Sequence, residues 1–238
     1  MEKETNVKKR KIGIIIFIIV ILIAVSIGVY AVSNVLNDDC ENEDPLTPSN
    51  IKDITLEAKP IIYIYPEEEQ EVSVKVGNSE KLTCTYPKYN DGWNVIAKPN
   101  GDLVDISTGR YLYALYWEGI DTNAKIKEEG FVVKGKDSIK FLEEKLEILG
   151  LNERESEEFI VYWLPKLEAN KYNYIRFETI EEIEEDMLLI INPVPDTMIR
   201  IVMNFKGLDK PIKVKEQKLT TPIREGFTIV EWGGTEIK

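Results

Sequence analysis

The sequence predicts an α+β chain: an N-terminal transmembrane helix, then a β-rich, sandwich-like ectodomain with two helices inserted mid-chain. Three observations predict it. Residues 13–36 (GIIIFIIVILIAVSIGVYAVSNVL) carry no charged side chain. Short β-branched and aromatic runs, separated by turn residues, recur from 61 to 117 and again from 187. Between them, Ile139, Leu142, Leu146 and Leu149 fall at helical spacing.

The N-terminal segment sets the expected topology. About 20 apolar residues cross a hydrocarbon core of roughly 30 Å, so a helix over 12–36 is long enough. Its Ile and Val content would weaken a helix in water, but lipid forces internal hydrogen bonding. The preceding tail, 1–11, holds Lys3, Lys8, Lys9, Arg10 and Lys11 against Glu2 and Glu4, a net of +3. The positive flank predicts a cytoplasmic N-terminus and a C-terminal domain outside. A cleaved signal peptide would also show a basic start and an apolar core, but the run exceeds the usual h-region of about 7–15 residues, so an uncleaved anchor is expected. Residues 37–58 mix acids, Asn, Ser and Thr with Pro45 and Pro48, which reads as a flexible stalk.

The domain expected over 59–238 begins with IIYIY at 61–65, a buried strand closed by Pro66. EVSVKV at 71–76 alternates strictly, placing Val72, Val74 and Val76 on one face. Gly77-Asn78-Ser79 turns the chain into KLTCTY at 81–86, with Leu82, Cys84 and Tyr86 on one side. WNVIAK at 93–98 and YLYALYW at 111–117 complete a meander, with Asn100-Gly101 a turn between them. After Gly130 come the strand FVVK, a helix from Asp137 that Gly150 stops, and a second helix opened by Asn152 to Glu155 as a capping box. FIVYWL at 159–164 fits helix or strand, with Pro165 expected to close it. YNYIRFE at 172–178 reads as strand and EEIEED at 181–186 as an acidic spacer. MLLII, MIRIVMNF, PIKVKEQKL and FTIVEW read as four more strands. Subdomains at 59–120 and 130–238 are compatible with this change of character.

Charge and composition exclude several chemistries. The chain has 30 Lys+Arg, 42 Asp+Glu and no His, for a net charge of −12. Removing the tail's +3 leaves −15 on residues 37–238, which excludes a nucleic-acid footprint. Without His there is no Ser-His-Asp triad and no His-containing zinc site. No cofactor and no metal is expected. Gly130 to Asp137 (GFVVKGKD) approaches a phosphate-binding loop but carries Asp137 where Ser or Thr would hold magnesium. Cys40 and Cys84, the two cysteines, are a disulfide candidate in an exported chain, although Cys84 would serve equally as a small buried hydrophobe.

Two aromatic–acid–glycine corners remain: Tyr116-Trp117-Glu118-Gly119 and Glu231-Trp232-Gly233-Gly234. A carboxylate pair beside tryptophan is how a glycosidase is assembled, so Glu118 and Glu231 are the catalytic candidates. The same aromatics without chemistry make a binding module, with Trp93, Trp117, Trp232 and Tyr116 as its contacts. The plain alternative is that these rings fill the core.

KPIIYIYP at 59–66 resembles the KPVIYLYP opening of a family of uncharacterised bacterial proteins frequent in clostridia. LTCTYPKYNDGWNV at 82–95, LYWEG at 115–119, GFVVKG at 130–135, FIVYWLPKLE at 159–168, PDTMIRIVM at 195–203 and GFTIVEWGG at 226–234 extend the similarity across the domain. The resemblance implies one unit over 59–238 and a Gram-positive-like source. It carries no activity and no functional residues.

Together these features lead to the expectation of a membrane-anchored, extracytoplasmic binding module with an envelope glycan or protein partner and no nucleic acid. A carboxylate hydrolase and an assembly scaffold are the other readings.

Overall fold

IIYIY lacks polar alternation because both faces of its strand are covered. Ile62 and Ile64 pack into one core, Ile61 and Tyr63 into another. This strand, β1 (Thr55–Tyr65), pairs antiparallel with β13 (Thr228–Glu236) on one edge and β7 (Leu115–Asp121) on the other. Beyond β13 the sheet continues through β11 (Thr197–Leu208), β9 (Tyr172–Phe177), β8 (Glu129–Lys134) and β12 (Lys215–Glu216). Beyond β7 it ends at β3 (Leu82–Tyr86). The computed structural model describes residues 55–121 and 124–238. The tail at 1–11, the apolar run at 12–36, the stalk up to residue 54 and Cys40 lie outside the described residues. Among the described residues no helix is long and apolar enough to cross a membrane.

A second sheet runs in the order β10-β2-β4-β5-β6, from β2 (Gln70–Val76), β4 (Trp93–Ala97), β5 (Leu103–Asp105), β6 (Tyr111–Leu112) and β10 (Leu189–Asn192). The alternation at 71–76 does what its pattern predicts: Val72, Val74 and Val76 are buried and join Ile62, Ile64, Leu115 and Trp117 between the sheets. On the opposite face of the large sheet lie two helices, α1 (Ser138–Ile148) and α2 (Glu153–Glu168). Leu142, Leu146, Phe159, Trp163 and Leu167 pack there against Ile61, Val230 and Trp232. The expected halves 59–120 and 130–238 share the large sheet, since β1 lies between β13 and β7.

The helix boundaries follow local chemistry. Asn152 accepts from the Glu155 amide, and the Glu155 carboxylate accepts from the Asn152 amide, the reciprocal box the sequence announces. Gly150 stops α1 with a φ of 89°.

Several expectations need correction. There are three helices among the described residues, not two. The acidic stretch expected as a spacer is a helix, α3 (Ile180–Asp186), opened by a second capping box between Thr179 and Glu182. Its three-residue spacing of Ile180 and Ile183 was hidden by the surrounding carboxylates. Pro165 does not close α2 but sits inside it. Pro165 and Val161 are both exposed, so the carbonyl left unpaired by the missing amide faces water. YLYALYW is not one strand: Tyr111–Leu112 belongs to the small sheet and the chain crosses at Tyr113 and Ala114 into β7 of the large one. PIKVKEQKL is strand only at Lys215–Glu216, because Gln217 spends its side-chain amide on both backbone groups of Phe177. β5 was missed altogether, and β1 begins at Thr55, inside the expected stalk.

Replacing Asn152 by Ala removes one arm of the box. The expected loss is about 1 kcal/mol of stability by urea denaturation. Glu157→Ala on the outer face of the same helix should shift the midpoint little.

Candidate functional site

The two aromatic–acid–glycine corners do not form a cleft. Trp117 and Trp232 are both 0% exposed and Trp93 is 2% exposed, so none of the three rings offers a stacking face. The glycines serve the packing of these and neighbouring indoles. A Cβ on Gly119 would lie 2.9 Å from Trp117 Cζ3, and one on Gly234 would lie 2.9 Å from Trp163 Cζ2. The binding contacts expected from Trp93, Trp117 and Trp232 are therefore corrected to core positions, and of the four only Tyr116 keeps partial exposure.

The expected carboxylate pair is split by the sheet. Glu231 is 1% exposed and accepts from Trp117 Nε1 at 2.9 Å and from Arg200 Nε at 2.7 Å. That places it on the face toward the small sheet. Glu118 follows Trp117 directly along β7, so its side chain points to the helix-bearing face. Two carboxylates on opposite faces cannot flank one glycosidic bond. What the structure brings together is Trp117, Glu231 and Arg200, as a sealed structural triad.

A different constellation occupies the helix-bearing face. Both ladders of β1 shift register between residues 57–58 and Ile61. Lys59 lies in that bulge with a φ of 57°, the one non-glycine residue with positive φ among the described residues. Such strain persists only where the surroundings enforce it, and a bulge re-aims a side chain. Here Lys59 Nζ is aimed over α2, 4.7 Å from the centre of the Tyr162 ring and 5.5 Å from that of Trp232. Burial lowers its pKa, while the field of Glu158 acts in the opposite sense.

Tyrosines surround this lysine. Tyr63 donates to Glu158 Oε2 at 2.8 Å and stacks on Tyr65 with centroids 6.3 Å apart. Tyr113, 47% exposed, lies 6.4 Å from Tyr63 and under the guanidinium of Arg154. Arg224 covers Tyr65 and forms a two-pronged bond with the fully buried Glu155. Tyr116 continues the row across from Ile61, with Tyr86 opposite it on β3. Burial raises the pKa of Tyr63, Tyr113 and Tyr116, and neighbouring carboxylates add to it: Glu158 for the first two, Glu118 for the third. These hydroxyls stay protonated donors through neutral pH.

Cys84 pairs with Glu118 on this same face and is exposed, which corrects the alternative of a buried hydrophobe. Its expected partner, Cys40, is outside the described residues. Among those residues no group of three or more His, Cys, Asp or Glu side chains is gathered to hold a metal ion. Lys59, Tyr63, Tyr113, Glu158 and Tyr162 were not singled out in the sequence. A lysine before proline at the head of a strand was the available signal, but which helix face would cover it was not.

On the other face, Glu178 at the foot of α3 takes a 2.6 Å bond from Asn204 Nδ2. Burial first, opposed by that bond and reinforced by Asp121 and Glu182, pushes its pKa up to about 7.

In comparisons with protein families, with curated proteins and with solved structures, nothing matches this chain.

Two outcomes separate structure from chemistry here. Glu231→Ala leaves Arg200 buried without its carboxylate and should cost about 3–5 kcal/mol in denaturant unfolding. Glu118→Ala should cost under about 1 kcal/mol, as a partly exposed change does. Glu178 supplies a pH test. Its folded pKa is raised, so the folded state holds a proton that the unfolded chain releases between about pH 4.5 and about pH 7. Stability is therefore lost as pH rises through that window, by up to about 3 kcal/mol. Glu178→Gln should flatten that part of a stability–pH profile and be more stable than the parent above neutrality.

Proposed function

We propose that this chain is a single-pass membrane protein whose domain, held outside the membrane by residues 12–36, is an envelope-associated binding module. The observation that carries the binding reading is the tyrosine-lined face around Lys59. Tyr65, Tyr113, Tyr116 and Tyr162 are partly or largely accessible there, interleaved with Arg154, Arg224 and Lys59. Tyrosine and arginine dominate binding energetics because each offers a large contact with few rotors to freeze. The sealed state of Glu231 favours binding over hydrolysis by the Glu118 and Glu231 pair.

The anchor and its direction are supported by the uncharged run at 13–36 and by the +3 tail before it. The partner on this reading is a glycan or protein of the envelope, reached by an exported part, residues 37–238, of net charge −15 that nucleic acid would repel.

Protease added to intact cells should remove the folded domain, and its full protection would overturn the orientation. Purified full-length chain should be retained by isolated envelope material. Tyr113→Ala and Tyr116→Ala together should weaken that retention at least tenfold while the domain stays folded, the half-buried Tyr116 ring costing about 1–2 kcal/mol of stability. Equal retention would move the binding surface elsewhere.

A further inference from the structure

The cations of the tyrosine face divide into two kinds. Arg154 has Glu158 at 3.4 Å and Arg224 has Glu155 at 2.9 Å. Lys59 and Lys166 have no carboxylate within ion-pair distance among the described residues, in a chain with 42 acids against 30 bases. Both ammonium groups instead sit on one ring: Lys59 Nζ is 4.7 Å and Lys166 Nζ is 4.5 Å from the Tyr162 centroid. The Glu158 carboxylate, whose field reaches Lys59, is already engaged by Tyr63 and Arg154. Two like charges that share a ring repel each other, and the ring offers neither of them a hydrogen-bond acceptor equal to an oxyanion.

We propose that Lys59 and Lys166 form an oxyanion site across Tyr162, taking a carboxylate or phosphate group carried by the ligand of the tyrosine face. This rests on the binding reading above and names the chemistry that the ligand must bring. One oxyanion placed between the two ammonium groups would offer each an acceptor and offset their mutual repulsion. Lys59 needs little ordering to meet it, because the bulge in β1 fixes its backbone in advance. Lys166 joins it from an exposed turn of α2, where its Nζ also lies 3.4 Å from Tyr162 Oη. Its exposed four-carbon stem has rotatable bonds with which to close on a bound group.

The test is titration of the full-length chain with four probes: inorganic phosphate, a galacturonate oligosaccharide, a glycerol-phosphate oligomer and a neutral cello-oligosaccharide. At least one anionic oligomer should bind, with affinity that falls as salt rises. Lys166→Met and Lys59→Met should each weaken it at least tenfold, and Lys59→Arg should retain most of it. Lys166→Met is free of any effect on the bulge, so it guards against a folding artefact at Lys59. Tighter binding of galacturonate assigns a carboxylate source, and tighter binding of glycerol phosphate or inorganic phosphate assigns a phosphate source. Anion binding unchanged in both methionine variants, or neutral oligosaccharide bound as tightly as the anions, overturns the oxyanion site and leaves the binding module standing. Envelope retention with none of the anions bound has the same meaning. Failure of every probe together with failure of envelope retention removes both.

Discussion

β1 has a strand on each edge and a packed layer on each face, so an irregularity within it cannot be absorbed by solvent. Its bulge interrupts the β13 and β7 ladders at the same place. The extra residue is Lys59, followed by Pro60, which brings no amide to either ladder. Proline here lowers the cost of the interruption, because one lost hydrogen bond was never available. Gly233 completes the fit: a Cβ on it would lie 3.0 Å from Pro60 Cγ, so the β13 backbone closes against the proline ring. The bulge is thus over-determined from both sides, which is the condition for keeping a strained lysine. Sheet, helix layer and candidate site all depend on this one point in the chain.

The fold was legible where side-chain period and burial agree. Strict alternation in β2 and continuous apolarity in β1 translated directly into one buried face and two. The Asn152 box and the Gly150 stop were legible because caps are local chemistry. What was not legible depended on partners far along the chain. Tyr111 to Trp117 looks like one strand, yet it serves two sheets, and only the position of β1 decides where it must cross. The 180–186 helix hid because carboxylates outnumber the one buried isoleucine, Ile183, that pins it. Pro165 misled because its local cost is eased where the orphaned Val161 carbonyl meets water and is outweighed by the buried contacts of Phe159, Trp163 and Leu167 on the other side of the helix.

The site was half legible for a related reason. Both corners drew attention through Trp and Glu, and the structure does join Trp117 to Glu231. It joins them in the interior, with Arg200 as the third member. A buried carboxylate needs its guanidinium, and the indole N–H fills a second acceptor position. The same residue types that would mark a cleft therefore also satisfy one another inside a core, and composition alone cannot separate the cases. Tyr116 and Glu118 were noticed for the same motif and end up on the other face. There the packing of α2 brings Tyr162 to Tyr116, some 46 residues away along the chain, and Tyr162 and Glu158 to Lys59, some 100 residues away.

Which aromatics remain outside has a physical logic. The indole rings are the largest side chains available, and three of the four lie within the two cores on either side of the central sheet at 0% exposure. Tyrosine can stand at the boundary because its hydroxyl keeps a polar partner while the ring packs. Tyr63 shows the limit of this: its ring is buried, but its hydroxyl reaches Glu158. Tyr63 is buried, Tyr65, Tyr116 and Tyr162 are half-buried and Tyr113 is exposed; cations lie on the rings of Tyr65, Tyr162 and Tyr113, while Tyr116 keeps a carboxylate, Glu118. A cation on a ring face keeps most of its charge available to a third group, whereas one in an ion pair does not. Arg154 and Arg224 lie on rings but also hold carboxylates, so Lys59 and Lys166 beside Tyr162 are the place on this face where positive charge is held by rings rather than paired with acids.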